Sequence, residues 1–202
     1  MTRKPAWMVM TLSALLIAAY AAGTLVAPVL RSPFLRELFE NMPIAIVLHI
    51  TAGIFAIVIG AFQVNSQLRS RFLTAHRWFG RIYLAAVLVG GIAGLYLSLE
   101  SFGGLVTHFG FGLMAVCWLG TTFAAYYAIL QRDVSAHRTW MLRSYALTLA
   151  ALTLRIYLPI SQIAGIGFEP AYQAISWLCW VPNLLIVEWF ILARQPQVTD
   201  AA

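Results

Sequence analysis

Residues 43–64 read PIAIVLHITAGIFAIVIGAFQV, a run of 22 residues with no charged side chain and a single histidine, His49. At 1.5 Å per residue, a helix of about 20 apolar residues spans a hydrocarbon core of about 30 Å. The run does not alternate between polar and apolar residues, as a membrane barrel strand would. It therefore predicts a transmembrane helix, in which the backbone satisfies its own hydrogen bonds within the lipid.

Working outward from this stretch, the chain has five more such runs, at 7–28, 76–98, 104–129, 138–163 and 172–193. Only 10% of the residues are charged and 61% are hydrophobic, whereas soluble domains carry about 25% charged residues. The sequence predicts an all-α polytopic membrane protein, a single integral membrane domain over residues 1–202. Its six helices are expected to be unbroken, with spans 2–5 forming a central four-helix bundle.

The N-terminal run has an alternative interpretation. Ala19-Tyr20-Ala21 resembles the cleavage site of a signal peptide. The apolar run continues through TLVAPVL, however, and five spans follow it. An uncleaved first helix is the expectation.

Basic residues are distributed unevenly between the two sides of these spans. One side carries Arg3, Lys4, Arg69, Arg71, Arg77, Arg81, Arg132, Arg138, Arg143 and Arg194. The other carries Arg31 and Arg36 together with Glu37, Glu40, Glu100 and Glu169. Because basic residues accumulate on the cytoplasmic side, both termini are predicted in the cytoplasm, in a bacterial inner membrane. This asymmetry accounts for the net charge of +6 without a nucleic-acid partner; the expected surroundings are the lipid bilayer.

Two near-copies of one phrase contain two of the four histidines. TAHRWFGRIY stands at 74–83 and SAHRTWMLRSY at 135–145, so that His137 follows His76 by 61 residues. His108 follows His49 by 59 residues, which suggests a two-helix unit used twice, as spans 2–3 and 4–5. Glycine follows three of the histidines by four residues, one turn along the same helix face, and leaves room for a large flat group. Met141 takes this position after His137.

The depths of the histidines sort them into two pairs. His49 and His108 lie a short way into spans that enter from the outside, so they are expected to be level near the outer face. His76 and His137 open spans that start in the cytoplasm, where Thr74 and Ser135 are the expected helix caps. Two facing imidazoles at one depth are the ligands of a b-type haem, so the sequence predicts one or two such haems.

Haem propionates need cationic partners, and five arginines are candidates for cofactor binding. Four of them accompany the inner pair: Arg77, Arg81, Arg138 and Arg143. The fifth, Arg155, lies inside span 5, about 27 Å along the helix from His137 and on the same face. An arginine within the membrane normally faces a partner or a cavity, and Glu100 or Glu169 is the alternative partner.

The layout of histidines in spans 2–5 resembles the cytochrome b-561 group, over about residues 43–163. Members of that group carry electrons across membranes between two haems, often from ascorbate, but their ascorbate-site motifs are not found here. The phrases LHITAG, AHRWFGRIY and AHRTWMLRSYALTLAALTLRIY more closely resemble a prokaryotic membrane family of unknown function, DUF2306, over about residues 45–160. By the cytochrome resemblance, His49 and His108 would bind an outer haem, and His76 and His137 an inner one.

The predicted function is transmembrane electron transfer through these haems; an enzymatic role would be that of a cytochrome b-type oxidoreductase. The electron donor, the acceptor and the oligomeric state stay open. One alternative is metal- or proton-coupled binding or transport, in which the histidines and Glu188 hold zinc or a substrate. The other is a noncatalytic assembly or sensor subunit. The His-Arg-Trp phrases could also be interface anchors, and the stripe His49, Gly53, Ala56, Gly60 could be helix packing.

Two smaller features complete the predictions. Ser32 followed by Pro33 is a helix-start signal, so residues 31–41 form either an interfacial helix or a plain connector. Glu188 is expected to pair with an inner arginine.

Overall fold

A computed structural model describes residues 4–193, and within that range every regular element is helical. Ten α-helices follow one another: α1 Lys4–Val26, α2 Pro33–Asn41, α3 Pro43–Gln63, α4 Ser66–Arg71, α5 Leu73–Ser98, α6 Leu105–Leu130, α7 Val134–Thr148, α8 Ala150–Ile163, α9 Phe168–Leu178 and α10 Val181–Leu192. A 3₁₀ turn, Pro28–Leu30, joins α1 to α2. Arg3 and Arg194, which entered the prediction of orientation, lie outside the described residues.

Six segments are long and apolar enough to cross a membrane: Pro5–Val26, Pro43–Gln63, Leu73–Ser98, Leu105–Leu130, Val134–Ile163 and Phe168–Ile191. They match the six predicted spans to within a few residues, so the all-α, six-span prediction is confirmed. The cytoplasmic position of the termini stays a prediction. We therefore call the two ends of the bundle the arginine-rich end, where α5 and α7 begin, and the acidic end, where α5 and α8 finish.

Helices α3, α5, α6 and α7 form a ring in which each contacts the next and α7 returns to α3. This is the predicted central bundle. On its outside, α1 packs along α3, where the Trp7 indole donates to the Ala61 carbonyl at 2.8 Å. Helix α9 packs on α6, and α10 on α7. In this ring α3 stands diagonally opposite α6, and α5 opposite α7.

The centre of the ring is closed by tyrosines that pack against small residues. A methyl group on Gly60 would lie 2.3 Å from the Tyr145 ring and 3.2 Å from the Tyr83 ring, so only glycine fits there. Ala56, one turn away, is completely buried. The packing interpretation of the stripe is thus confirmed at Ala56 and Gly60. At Gly53, by contrast, an added methyl group would meet nothing within 4 Å.

Span 6 is interrupted, and the expectation of an unbroken helix is wrong there. The break lies at 179–180, between α9 and α10. Pro182, in the first turn of α10, has no backbone N–H to donate to the preceding turn. Span 5 is irregular only at Leu149, between α7 and α8, because this residue keeps helical dihedral angles and its backbone bonds to Tyr145 and Thr153 continue the helix. The Asn183 amide links the two positions, because it donates to the Ala146 carbonyl of α7 at 3.2 Å and the Cys179 carbonyl at 3.0 Å.

The stretch after α1 forms the helix α2, which confirms the helical alternative for residues 31–41. The Ser32 hydroxyl caps it by accepting from the Leu35 N–H at 3.3 Å. Leu35, Leu38 and Phe39 of α2 pack on a buried cluster formed by Ala21, Ile46 and Ile50. Helix α2 therefore lies across the acidic end of α1 and α3.

The predicted caps of α5 and α7 are wrong, because both helices begin earlier than expected. Helix α5 starts at Leu73, so Thr74 lies inside its first turn, and its N-cap is Phe72 with no side-chain hydrogen bond. Helix α7 starts at Val134 and is capped by Asp133, whose carboxylate accepts from the Ala136 N–H at 2.8 Å. Ser135 is already helical.

Candidate functional site

At the arginine-rich end, His76 and His137 occupy matching positions. Each is the fourth residue of its helix, α5 or α7. Seven residues further along these helices, on the same faces, Tyr83 and Ser144 meet in a hydrogen bond of 2.8 Å. The faces that carry the two histidines therefore converge across the bundle.

The surroundings of these two rings differ in detail. Nδ1 of His137 lies 2.8 Å from the Ala125 carbonyl, which can only accept, so Nδ1 carries the hydrogen and Nε2 is the free nitrogen. The ring of His76 makes no hydrogen bond within residues 4–193. The Gln63 amide donates to the His76 backbone carbonyl at 3.1 Å, while its own oxygen, Oε1, is buried without a partner. A methyl group on Gly80, one turn after His76, would meet nothing within 4 Å.

Two of the four arginines predicted to hold propionates at this end already have partners in the chain. Arg143 forms a bidentate salt bridge with Glu188, in which Nη2 and Oε2 are 2.8 Å apart, and its guanidinium carbon lies 4.4 Å from the centre of the Trp140 ring. The predicted pairing of Glu188 is thereby confirmed, and Arg143 is not free for a propionate. Arg81 stacks over Trp78 at 4.8 Å. Arg77 and Arg138 are exposed.

Toward the acidic end, the bundle encloses a cavity of about 240 Å³ that is open on one side. Helices α2, α3, α5, α6, α7, α8 and α9 contribute to its wall, and residues on both sides of Leu149 line it. Its lining is mostly apolar or glycine, and includes Gly53, Gly91, Met114 and Trp118. The wall contains two basic side chains, those of His49 and Arg155.

His49 is held against α5 with one nitrogen free. Its Nδ1 lies 2.9 Å from the Gly90 carbonyl, so Nδ1 carries the hydrogen and Nε2 is left without a partner among the described residues. A methyl group on Gly94 would lie 3.0 Å from the imidazole, so the ring packs closely on α5 at this glycine. The open space beside Gly53, one turn along α3, belongs to the same cavity.

His108 is not level with His49, and the expectation of equal depth is wrong. Gly112 of α6 lies against Ser98, the last residue of α5, and His108 is one turn further out. Its Nε2 donates to the Ser101 carbonyl at 3.0 Å, in the loop beyond α5. His49 instead contacts Gly90 and Gly94, well before the end of α5. Level with Gly90, α6 presents Trp118, ten residues or about 15 Å from His108.

Arg155 lies with His49 in the cavity wall, as expected, but without the alternative carboxylate partners. Its Nη1 donates to the Ala151 carbonyl of its own helix at 2.8 Å, and its guanidinium carbon lies 5.6 Å from the centre of the Tyr20 ring. Within residues 4–193 the one salt bridge is that of Arg143 with Glu188, so neither Glu100 nor Glu169 pairs with Arg155.

A network of hydroxyl groups separates the two histidine regions. The Tyr83 hydroxyl bonds to Ser144 and to Thr148, both at 2.8 Å, and the Trp118 indole donates to Thr148 at 2.9 Å. Thr148 and Trp118 also line the cavity. Sequence reasoning missed this network, although Tyr83 and Ser144 each follow a histidine of the repeated phrase by seven residues.

The zinc alternative finds no ligand cluster in the described residues, where no three His, Cys, Asp or Glu side chains come together. Cys117 and Cys179 are both free thiols.

Comparison with known proteins gives the family. No curated protein and no solved structure matches the chain. The family model described as "Predicted membrane protein (DUF2306)" matches residues 46–191, more than two-thirds of the 202 residues. This range takes in all four histidines, Arg155 and the spans of the central bundle. The chain belongs to the DUF2306 family of multi-pass membrane proteins.

Proposed function

We propose that the protein is a membrane electron carrier that binds one b-type haem between His76 and His137. The observation that carries the proposal is the hydrogen bond between Tyr83 and Ser144. It joins the diagonal helices α5 and α7 two turns from each histidine, on the helix faces that carry the two imidazoles, and this supports a shared site at the arginine-rich end.

The residues present fit a haem at this position. A ligating histidine usually donates its second ring N–H to a backbone carbonyl, which fixes the ring and the free nitrogen; His137 makes this bond with Ala125. The buried oxygen of Gln63 without a partner and the open space at Gly80 also indicate room for a further group beside His76. A bound haem would supply reversible one-electron chemistry at its iron.

The charged groups at this end have separate roles in the proposal. Arg77 and Arg138 follow the two histidines directly and are exposed, so their guanidinium groups are available to propionates. Arg143 instead forms a salt bridge with Glu188, and Arg81 stacks over Trp78. With basic residues facing the cytoplasm, this haem would lie near the cytoplasmic side of a bacterial inner membrane.

The predicted outer haem between His49 and His108 does not fit the arrangement described above. The two rings differ in depth by about 15 Å, and Nε2 of His108 is occupied by the Ser101 carbonyl. We therefore propose one haem rather than two.

The test is an absorption spectrum of the protein purified from haem-replete cells, with the haem content measured as pyridine haemochrome. Sharp bands of a reduced six-coordinate haem and one haem per chain are expected. Two haems per chain would support an outer haem site as well, and a protein without haem would contradict the proposal.

A second candidate, binding or transport of a small molecule, is favoured by the interruption in span 6. Discontinuous helices adjoin substrate sites in many transporters. Here Cys179, at the interruption, lines the cavity that contains His49 and Arg155. A haem-free protein that takes up a ligand into this cavity would favour this candidate over the electron carrier.

A further inference from the structure

We infer that the cavity at His49 and Arg155 binds the anionic head group of a single-chain amphiphile that enters from the membrane. This inference concerns the acidic half of the bundle and does not rest on the proposed haem.

The charge of Arg155 is the first argument. The guanidinium group faces a largely apolar wall, and its described contacts are the Ala151 carbonyl and the face of the Tyr20 ring. One bond to a carbonyl leaves most of its five N–H donors for other partners. A cation inside a membrane protein is stable when it faces an anion, and a carboxylate or phosphate can accept two bonds from it side by side.

His49 adds a requirement on the same head group. Because Nδ1–H is committed to the Gly90 carbonyl, the neutral ring offers Nε2 as an acceptor. A head group that satisfies both side chains has an anionic oxygen for Arg155 and an O–H for His49. A singly protonated phosphate ester and a hydroxy acid each combine these two functions.

The remaining wall determines the rest of the ligand. Ile46, Phe111, Met114 and Leu154 supply apolar surface, and the glycines of α5 allow close approach to its backbone. A volume of about 240 Å³ is below the roughly 300–1,000 Å³ of pockets that enclose a drug-sized ligand. The cavity can therefore take a head group and the start of one chain, and the rest of the chain extends through the opening.

The neighbouring surface disfavours the entry of an anion from water. A second, more polar cavity of about 390 Å³ adjoins the first and shares Phe34 and Leu38 of α2 with it. Its wall carries Glu37 and Glu100, whose negative charges disfavour a free anion arriving from water. A ligand already dissolved in the bilayer avoids this barrier.

The experiment measures equilibrium binding to the full chain in nanodiscs of zwitterionic lipid, with radiolabelled dodecyl phosphate, 2-hydroxydodecanoate and dodecanol as probes. Saturable binding of an anionic probe at one site per chain is expected, with no saturable binding of dodecanol. Preference for the phosphate or for the carboxylate identifies the head group. Free inorganic phosphate should not compete.

Four variants test the site. Arg155→Gln should weaken binding about tenfold or more, and Arg155→Lys by less, because a charge-assisted bond contributes more than a neutral one. Met114→Trp keeps the charge of Arg155 but fills the cavity, and should also weaken binding. Arg36→Gln is the matched control, because Arg36 is an exposed arginine at the same end of the bundle. Equal binding by wild type and Arg155→Gln, or equal binding of phosphate and alcohol, would overturn the inference. Haem content, measured on the same samples, reports separately on the electron-carrier proposal.

Discussion

The two halves of the bundle contain the same sequence pattern and build different sites from it. Each half has two histidines about 60 residues apart on diagonally opposite helices. At the arginine-rich end both are the fourth residue of a helix, and the faces that carry them converge at Tyr83 and Ser144. At the acidic end His49 lines a cavity, while His108 lies beyond the end of α5. A repeat in sequence thus fixes which helices carry a residue, but the depth of that residue depends on how the helices pack.

The largest effect should come from the histidines themselves. If only the converging pair ligates haem, His137→Ala reduces the haem per chain from about one to near zero, because one axial ligand is lost. His108→Ala should leave haem content and spectrum unchanged. Pyridine haemochrome assays of both purified variants make the measurement. If His108→Ala loses haem and His137→Ala keeps it, the haem site lies in the acidic half and the assignment is wrong.

The centre of the bundle supports both halves, and Gly60 is its most sensitive point. Gly60→Ala places a methyl group 2.3 Å from the Tyr145 ring, whose hydroxyl is tied to the Ile57 carbonyl at 3.1 Å. Overpacking of this kind lowers the free energy of unfolding by about 1–3 kcal/mol. Gly53→Ala on the same helix enters open space and should leave stability unchanged or raise it by up to about 1 kcal/mol. Unfolding in a mixed-detergent series compares the two variants, and equal stabilities would contradict the packing at Gly60.

A smaller loss is expected where the hydroxyl network joins the two halves. Tyr83→Phe leaves the hydroxyls of Ser144 and Thr148 without the partner they share, which costs about 1–2 kcal/mol for buried groups. Tyr145→Phe removes a single bond to a backbone carbonyl and is the milder control. The same unfolding assay applies. If Tyr83→Phe is no less stable than Tyr145→Phe, the network does not tie the halves together.

The smallest effect concerns the start of α7, which sets the position of His137. Asp133→Ala removes the cap at Ala136 and should lower stability by about 1 kcal/mol, whereas Ser135→Ala should change it little. Thermal midpoints followed by circular dichroism distinguish the two. If Ser135→Ala loses more stability than Asp133→Ala, then Ser135 is the N-cap of α7, as the sequence predicted.

Local features were predictable from the sequence and relative positions were not. Uninterrupted apolar runs identified six spans, and Ser32-Pro33 identified the start of α2, because both depend on neighbouring residues. The depth of His108 was missed, since it depends on Gly90 and Gly91 of α5 admitting Trp118 and Leu119 of α6. No local sequence pattern predicts which residues of α5 and α6 lie side by side.

The interruption of span 6 was missed for a related reason. Pro182 was visible in the sequence, but the contact that accompanies the interruption, from Asn183 to the Ala146 carbonyl, joins residues distant in sequence. Asp133 was not predicted as the cap of α7 because the predicted start of that helix lay too late in the sequence.

Asn183 has a consequence for the rigidity of the membrane domain. Its amide donates to Ala146 of α7, to Thr153 in the first turn of α8 and to Cys179 at the interruption of span 6. One side chain thereby braces two spans at the same level and gives the Cys179 carbonyl a partner where the helix is interrupted. Arg155 lies two residues after Thr153, so this brace helps to fix the position of its guanidinium group in the cavity wall.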